Sequence, residues 1–295
     1  MATTVNPEDG TEIAYRVAGP DDGAAGAPTV VLLHGTGLSK AVWQGYGFVP
    51  ALRAHHRVVA VDLRGHGRSG KPERPEDYAM ELVAGDVAAV LAAEAAGPAH
   101  VLGYSYGARI GLHLAARRPE LLSALTAVAG TWRSTRGRIG RLFFPGFLDS
   151  LRAGIADGRG MGAFVEDWEA AIGHRLDPPT RAAMLANDAR AMLAYTTRTE
   201  EQPGLTPHEL AAVTVPTLFV VGERDTPQLE DSRAAVRILR EHGTRTRLEV
   251  LPGRGHGDVL AARDQILAAA ARFHGTPGST PGGGPDGGPA ARAVT

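Results

Sequence analysis

The chain reads Val101-Leu102-Gly103-Tyr104-Ser105-Tyr106-Gly107-Ala108-Arg109 at the point where an apolar run meets a helical pattern. Residues 99–102 have the length and composition of a buried strand, and the apolar positions within residues 108–116 recur at helical spacing. A strand that turns at once into a helix strains the residue at the corner, and glycine on either side removes side chains that would collide there. The stretch therefore predicts that Ser105 stands exposed at the carboxyl edge of a sheet, where it can act as a nucleophile.

Strands and helices alternate on both sides of this stretch. Further strands are predicted at residues 11–18, 29–33, 57–63, 122–129, 216–222 and 246–251. Helices are predicted at residues 45–55, 80–96, 229–241 and 259–273. Such alternation is typical of right-handed βαβ crossovers, so we expect an α/β fold with a mostly parallel sheet.

The alternation stops between residues 130 and 213. Helical patterns fill this segment instead, at residues 138–151, 162–172, 179–195 and near 207–212. Because the segment follows one sheet strand and precedes another, it is expected to cover the carboxyl edge of the sheet as a helical cap. The predicted division is a core at residues 1–130 and 214–274, a cap at residues 131–213, and a disordered Gly/Pro-rich tail at residues 275–295.

Composition excludes several classes of function. The net charge of −1 and the pI of about 6.8 give no electrostatic basis for binding nucleic acid. Cysteine is absent, which rules out disulfides, thiolate metal sites and a cysteine nucleophile. Residues 1–10 are polar and acidic, unlike a signal peptide, and no apolar run approaches the roughly 20 residues that span a bilayer. We therefore expect a cytoplasmic protein that binds neither nucleic acid nor membranes.

A serine nucleophile needs a base within hydrogen-bond reach and a group that orients the base. Only the loops at the carboxyl ends of parallel strands share an edge with Ser105. Among the 11 histidines, His256 meets this condition best, because it follows the last strand and lies between two glycines. Asp225 is the predicted acid, since it ends the turn after the preceding strand, and Glu223 and Asp231 are the alternatives.

Other polar residues of these loops have a structural interpretation. His34 and His66 are each followed by glycine in a tight turn, where a structural hydrogen bond is expected. Asp258 is expected to cap the last helix. The alternative role of Asp225 is to cap the helix predicted at residues 229–241.

Acyl transfer also needs N–H donors for the oxyanion of a tetrahedral intermediate. The N–H of Tyr106 follows the nucleophile at a helix N-terminus and is one such donor. The second is expected in the loop after the strand at residues 29–33, where Gly35-Thr36-Gly37 lets the backbone approach a substrate closely. We predict the N–H of Thr36, with that of Gly37 as the alternative.

With these residues in place, the sequence resembles the α/β-hydrolase fold family. The resemblance is carried by His34-Gly35-Thr36-Gly37, Asp62-Leu63-Arg64-Gly65-His66-Gly67-Arg68-Ser69, Gly103-Tyr104-Ser105-Tyr106-Gly107, Gly222-Glu223-Arg224-Asp225 and Gly255-His256. It implies a mostly parallel eight-stranded α/β sheet flanked by helices, with a helical cap inserted after the sixth strand. Members with an aspartate nucleophile are disfavoured by Ser105, and the core is similar to the serine esterase, enol-lactonase and haloperoxidase-like branch.

Candidate substrate contacts are Trp132, Arg109 and Trp168. The cap's aromatic residues are expected to combine core packing with a largely apolar pocket: Trp132, Phe143, Phe144, Phe147, Phe164 and Trp168. Arg109 is similar to an arginine of a menaquinone-pathway synthase of this fold, which eliminates pyruvate from an anionic substrate, and a structural role is the alternative. The arginines that begin the cap are expected to form a solvated basic face, with anion binding as the alternative: Arg133, Arg136, Arg138 and Arg141.

Together these residues predict acyl transfer to water by Ser105, His256 and Asp225. The substrate is expected to be a small ester, lactone or thioester with an apolar part, and the reaction needs no metal or organic cofactor. Two alternatives stay open. One is a lyase, cyclase or C–C bond hydrolase that uses the same three residues, and the other is a receptor of this fold that binds a ligand without turnover.

Overall fold

The computed structural model describes residues 1–20, 26–95, 97–141 and 143–275. Within these residues one sheet contains eight strands: β1 (Ala2–Val5), β2 (Glu12–Ala18), β3 (Thr29–Leu33), β4 (Arg57–Val61), β5 (Ala99–Tyr104), β6 (Leu122–Val128), β7 (Thr217–Gly222) and β8 (Thr246–Leu251). Their order in the sheet is β1-β2-β4-β3-β5-β6-β7-β8. Strand β2 is antiparallel to both of its neighbours, and all the other pairs are parallel. The predicted mostly parallel sheet is confirmed.

Strand β1 has no counterpart among the predicted strands. It pairs with β2 in antiparallel register, with Ala2 opposite Tyr15 and Val5 opposite Glu12. All four of its residues are half-buried or exposed, because β1 forms one edge of the sheet. A strand at an edge has no buried apolar run, so its sequence carries little signal.

Helices cover both faces of the sheet. Those outside the segment between β6 and β7 are α1 (Ala41–Gly45), α2 (Phe48–Leu52), α3 (Met80–Glu94), α4 (Tyr106–Arg117), α10 (Thr226–Glu241) and α11 (Arg263–His274). Successive residues of a strand point to opposite faces, so Val31 and Leu33 join the core on the side of α3, α4 and α10, whereas Val30 and Leu32 join the core on the side of α1, α2 and α11. The helix expected at residues 45–55 has wrong boundaries: it corresponds to α2, and Gly47, with φ +77°, separates α2 from the preceding α1.

The described residues between β6 and β7 contain five α-helices: α5 (Phe147–Ala156), α6 (Met161–Ile172), α7 (Pro178–Leu185), α8 (Ala189–Glu201) and α9 (Pro207–Ala211). Two predicted helices have wrong boundaries. The helix expected at residues 138–151 begins only at Phe147, and the one expected at residues 179–195 is divided into α7 and α8. Asp188 marks the division, because its side chain caps α8 by accepting a hydrogen bond from the N–H of Ala191.

These five helices follow the sixth strand, where the cap was expected, and we call this segment the cap. The division of the chain at residues 130 and 214 stays a prediction. Of the expected tail at residues 275–295, all but Gly275 lies outside the described residues. None of the helices in the described part of the chain is long and apolar enough to cross a membrane.

Candidate active site

Ser105 occupies the sharp corner between β5 and α4. Its φ of 52° and ψ of −110° are strained for a residue with a side chain, at a cost of about 1–3 kcal/mol. Both flanking glycines are required by close packing: a Cβ on Gly103 would lie 2.4 Å from the carbonyl of Gly107, and a Cβ on Gly107 would lie 2.1 Å from the carbonyl oxygen of Leu33. The glycines let the corner form and hold the serine at the carboxyl edge of the sheet.

The structure brings Ser105, His256 and Asp225 together at this edge. Ser105 Oγ lies 3.0 Å from His256 Nε2, and His256 Nδ1 lies 2.8 Å from Asp225 Oδ2. Since a carboxylate only accepts, the proton of a neutral His256 resides on Nδ1, and Nε2 is left to accept the serine proton. His256 is partly exposed, whereas the Asp225 side chain is 5% exposed. The geometry is that of an activated serine hydroxyl.

The alternative acids lie elsewhere. Glu223 accepts a hydrogen bond from the N–H of Gly253 and thereby joins the turns that follow β7 and β8. Asp231 binds residues at the start of the cap. Asp225 occupies the N-cap position of α10, but its side chain makes no hydrogen bond to that helix. Neither the alternative acids nor the capping role of Asp225 therefore agrees with the structure.

Two contacts hold the loop that carries His256. The hydroxyl of Tyr104 donates to the carbonyl oxygen of His256 at 2.8 Å. Asp258 Oδ1 accepts from the N–H of Gly255 at 2.6 Å and makes no capping hydrogen bond to the helical turn that follows, so the predicted cap is wrong. Aspartate side chains commonly bind nearby backbone N–H groups in turns, and Asp258 does so here.

His34 and His66 fix the loop at residues 35–37 from the core side. His34 Nδ1 donates to the carbonyl of Gly35 at 2.8 Å, and its Nε2 accepts from the N–H of Leu63. His66 Nδ1 lies 2.9 Å from the carbonyl of Arg64, and its Nε2 accepts from the N–H of Gly37 at 3.1 Å. Burial lowers the pKa of His34 to about 4 and that of His66 to about 3, so both rings are neutral acceptors at neutral pH.

The two N–H groups considered for the second oxyanion donor differ in their partners. The N–H of Gly37 is already bound to His66, so Gly37 is not available as the alternative. Neither the N–H of Thr36 nor that of Tyr106 has an acceptor among the described residues. Thr36, Ser105 and Tyr106 line the same cavity.

The cavity beside Ser105 is small. Its volume is about 40 Å³, enough for a few water molecules. The lining residues are Thr36, Ser105, Tyr106, Arg109, Ala129, Thr131, Thr135, Ile139, Thr199 and Gln228. Four are threonines, and the surface that the lining presents to the cavity is mostly apolar, as expected, although the cap phenylalanines and tryptophans take no part in it. Thr131, Thr135, Thr199 and Gln228 are lining residues that the sequence analysis did not identify, because nothing in a helical or loop pattern tells which side faces a cavity.

The two tryptophans expected at the substrate do not line this cavity. Trp168 packs edge-on against Phe143 and close to Phe164, within an aromatic cluster inside the cap. Trp132 is buried and donates its indole N–H to the carbonyl oxygen of Asp231 at 2.9 Å. Trp168 therefore stabilises the cap itself, whereas Trp132 joins the start of the cap to α10.

Arg109 lines the cavity, but its hydrogen bonds go to the cap backbone. The guanidinium donates to the carbonyl oxygens of Arg133 at 2.6 Å, Pro203 at 2.9 Å and Gln202 at 3.4 Å. Residue 133 precedes α5 and residues 202–203 follow α8, so Arg109 joins both ends of the α5–α8 segment to α4, one turn after Ser105. Burial lowers the pKa of Arg109, and none of the described carboxylates pairs with it. Its contacts favour the structural alternative.

One buried acid, Asp231, pairs with two of the basic residues at the start of the cap. Asp231 lies 2.8 Å from Arg138 and 3.3 Å from Arg133, and it also accepts from the hydroxyl of Thr131. Arg136 is exposed, and the side chain of Arg141 lies outside the description. A solvated basic face is therefore wrong for Arg138, whose charge is compensated by Asp231 and only about a quarter of whose side chain is exposed. No group of three or more His, Asp or Glu side chains in the described residues could hold a metal ion.

Comparisons with known proteins agree with this architecture. A family model described as the alpha/beta hydrolase fold matches residues 28–159. A pimeloyl-[acyl-carrier protein] methyl ester esterase from Aeromonas hydrophila is 38% identical over 128 residues, which are 43% of this chain and 46% of that protein. A putative carbamate hydrolase from Agrobacterium fabrum is 33% identical over 152 residues, 52% of this chain and 54% of that protein. The chain thus spans about half the length of the curated relatives it matches.

The similarity to solved structures extends over nearly the whole chain. The crystal structure of an esterase from Rhodococcus sp. ECU1013 matches with a TM-score of 0.68 and 28% identity, and the match covers 92% of this chain and 98% of that one. A carboxylesterase structure from Nitrososphaera gargenis matches with a TM-score of 0.75 at 21% identity, over 92% of this chain and 97% of that one. These matches confirm the fold that the sequence motifs predict.

Proposed function

We propose that this chain, which has the α/β-hydrolase fold, is a serine hydrolase that cleaves a small ester, lactone or thioester. The observation that carries this proposal is the continuous line of hydrogen bonds from Ser105 through His256 to Asp225. The names of the two curated relatives, a methyl ester esterase and a putative carbamate hydrolase, support hydrolysis at a carbonyl carbon.

The first half of the reaction forms an acyl-enzyme. As Ser105 Oγ attacks the carbonyl carbon, His256 Nε2 takes the serine proton, and the resulting imidazolium is stabilised by Asp225. The carbonyl oxygen becomes an oxyanion that accepts from the N–H groups of Thr36 and Tyr106, which have no other acceptor among the described residues. His256 then gives its proton to the departing oxygen or sulfur, and the alcohol or thiol leaves.

The second half repeats these steps with water. His256 Nε2 takes a proton from a water molecule as the water oxygen attacks the acyl carbon. The same N–H groups bind the second oxyanion. When this intermediate collapses, Ser105 Oγ recovers its proton from His256, and the carboxylic acid is released.

The small cavity beside Ser105 supports a short acyl group. Its volume of about 40 Å³ leaves room for only a few atoms beside Ser105, so a long acyl chain fits there less well than a short one. We therefore expect p-nitrophenyl acetate to react with a higher kcat/KM than the butyrate and octanoate esters. Equal or rising kcat/KM with chain length would contradict the proposed small substrate.

Two alternatives share the same fold. Lyase, cyclase or C–C bond hydrolase reactions of an anionic substrate would gain support from an arginine that is free to bind the anion, but the contacts of Arg109 with three backbone carbonyls give them none. A receptor without turnover has no need of an oriented histidine beside a strained serine.

The direct test of the proposed function is hydrolysis of short esters and lactones by the wild type and by Ser105→Ala. We expect the variant to lose about 10⁴-fold or more in kcat, as when a nucleophile of this kind is removed. Ser123→Ala, which removes an exposed serine of β6, is the matched control and should keep wild-type activity. Activity in Ser105→Ala equal to that of the wild type would overturn the proposal.

A further inference from the structure

The cap holds the loop at residues 35–37 through two hydrogen bonds. The hydroxyl of Tyr195, on α8, lies 2.6 Å from Thr36 Oγ1. Asn187, between α7 and α8, donates from Nδ2 to the carbonyl oxygen of Gly37 at 2.8 Å. Since His66 binds the N–H of Gly37 from the core side, this loop lies between the cap and the core and is fixed by both.

Tyr195 also lies between the two residues proposed to bind the oxyanion. Its ring is fully buried and packs edge-on against the ring of Tyr106, with 5.0 Å between the centroids, and against His66 at 4.9 Å. One cap side chain therefore contacts both Thr36, through its hydroxyl, and Tyr106, through its ring. A change in the position of α8 would therefore shift the surroundings of both Thr36 and Tyr106.

The direction of the hydrogen bond between Tyr195 and Thr36 follows from burial. A buried hydroxyl that donates to nothing is costly, and Thr36 Oγ1, at 2.6 Å, is the closest hydrogen-bond partner of the Tyr195 hydroxyl among the described residues, with the Thr199 side chain as a more distant neighbour. Tyr195 is therefore the donor, and Thr36 Oγ1 accepts. The proton of the Thr36 hydroxyl is then free to point to a third group.

The other threonines of the cavity have no such proton to offer. Thr131 donates to Asp231, Thr135 donates to the carbonyl oxygen of Thr199, and Thr199 donates to the carbonyl oxygen of Tyr195. Within the described lining, Thr36 is thus the threonine whose O–H is not engaged by the protein. Because Thr36 lies with Ser105 on the same cavity, its free O–H is placed for the carbonyl oxygen of a substrate.

We propose that the Thr36 side chain is a third oxyanion donor and that Tyr195, from the cap, is the positioning residue that orients it. This inference rests on the proposed function. Both core and cap then contribute to the oxyanion site. The core supplies the N–H of Tyr106, and the cap orients Thr36, which supplies both an N–H and an O–H. Docking of α8 is then needed for full catalytic rate as well as for enclosing the substrate.

The first test measures how fast a fluorophosphonate labels Ser105. In this reaction Ser105 Oγ bonds to phosphorus, fluoride leaves, His256 takes the serine proton, and the phosphoryl oxygen occupies the oxyanion site. We expect Tyr195→Phe, which keeps the ring but removes the hydroxyl, to lower the second-order rate constant about tenfold, a fraction of the 10²–10³-fold effect of a lost oxyanion donor. The probe needs no knowledge of the natural substrate.

A matched control separates positioning from general loss of packing. Tyr78→Phe also removes the hydroxyl of a buried tyrosine, which donates to the carbonyl of Pro72 at 2.7 Å, and the Tyr78 ring packs against Tyr195. We expect this variant to be labelled at the wild-type rate. Equal slowing in both variants, or no slowing in Tyr195→Phe, would overturn the inference, whereas a wild type that is not labelled at all would overturn the proposed function.

Variants at Thr36 test the coupling between the two residues. With p-nitrophenyl acetate as substrate, Thr36→Val should lower kcat about 10²-fold with little change in KM, and Thr36→Ser, which restores a hydroxyl, should recover most of the rate. Adding Tyr195→Phe to Thr36→Val should cause little further loss, because the tyrosine acts through the hydroxyl that is already gone. If the double variant instead showed the product of the two single losses, Tyr195 would not act through the Thr36 hydroxyl.

Discussion

Asp225 stands at the N-cap position just before α10, where aspartate commonly caps a helix, yet its carboxylate binds His256 Nδ1 at 2.8 Å and makes no hydrogen bond to α10. The side chain is 5% exposed, so water screens this contact little. The carboxylate thus fixes the tautomer of the histidine that contacts Ser105, and the helix is left without its usual side-chain cap.

Replacing Asp225 by Asn should therefore impair the reaction more than the fold. The amide can hold the imidazole in the wrong tautomer, with Nε2 protonated and unable to accept the serine proton, so we expect kcat to fall by about 10⁴-fold. Glu223→Gln is the control, because Glu223 lies in the same turn but binds the N–H of Gly253. Steady-state kinetics of both variants with one ester decide the matter, and a similar kcat for Asp225→Asn and Glu223→Gln would refute the assignment.

Arg109 should behave as a structural residue of the cap. Arg109→Gln removes three hydrogen bonds from a buried cation to the connections of the cap, and we expect the free energy of unfolding to fall by about 3 kcal/mol. Urea denaturation measures this loss. Arg117→Gln, on the same helix, breaks a more exposed pair with Glu209 and should cost no more than about 1 kcal/mol.

The same variant distinguishes structure from anion binding. If Arg109 serves only the cap, Arg109→Gln changes KM for an anionic ester, such as a hemisuccinate, and for its neutral methyl ester by the same factor. A selective rise in KM for the anionic ester, with unchanged stability, would instead show that Arg109 binds a substrate anion.

Acid should destabilise the protein through its buried histidines. The imidazole of His66 has an ordinary pKa near 6.5 when unfolded, and burial lowers the pKa to about 3 in the folded chain. Between these two values the unfolded chain binds a proton that the folded chain excludes, so the free energy of unfolding falls as pH falls, by about 1.4 kcal/mol per pH unit for each such histidine. The loss is absent above pH 6.5 and complete near pH 3.

His66→Gln tests this linkage. The glutamine amide oxygen can still accept from the N–H of Gly37 but does not titrate. The slope of unfolding free energy against pH between 6 and 4 should therefore decrease by about 1.4 kcal/mol per pH unit, the contribution of one proton. Urea titrations at several pH values measure the slope for both proteins. An unchanged slope would mean that His66 is already protonated in the folded state.

The parallel sheet explains why much of the site could be predicted from sequence. Ser105, Asp225 and His256 each follow a strand, and the carboxyl ends of parallel strands meet at one edge, so their proximity follows from topology. Gly103 and Gly107 predict the corner between β5 and α4, because only glycine avoids the close backbone contacts found there. Buried strands are continuous apolar runs, and those patterns are the ones read most directly from sequence.

The cap could not be predicted in the same detail. Trp168 and Tyr195 both lie on cap helices at apolar positions, but one packs inside the cap and the other reaches Thr36 across the boundary with the core. That difference depends on how helices pack, which helical spacing does not encode. Gly37 is a similar case: the sequence allows its N–H as an oxyanion donor, but in the fold that N–H is bound to His66.

The central claim is that Ser105 is a nucleophile activated by His256, and intact-mass spectrometry after fluorophosphonate treatment tests it most directly. We predict a single adduct on the wild type, none on Ser105→Ala, and greatly slowed labelling of Asp225→Asn, with circular dichroism confirming that all three proteins are folded. An unlabelled wild type, or an adduct that persists in Ser105→Ala, would contradict the account.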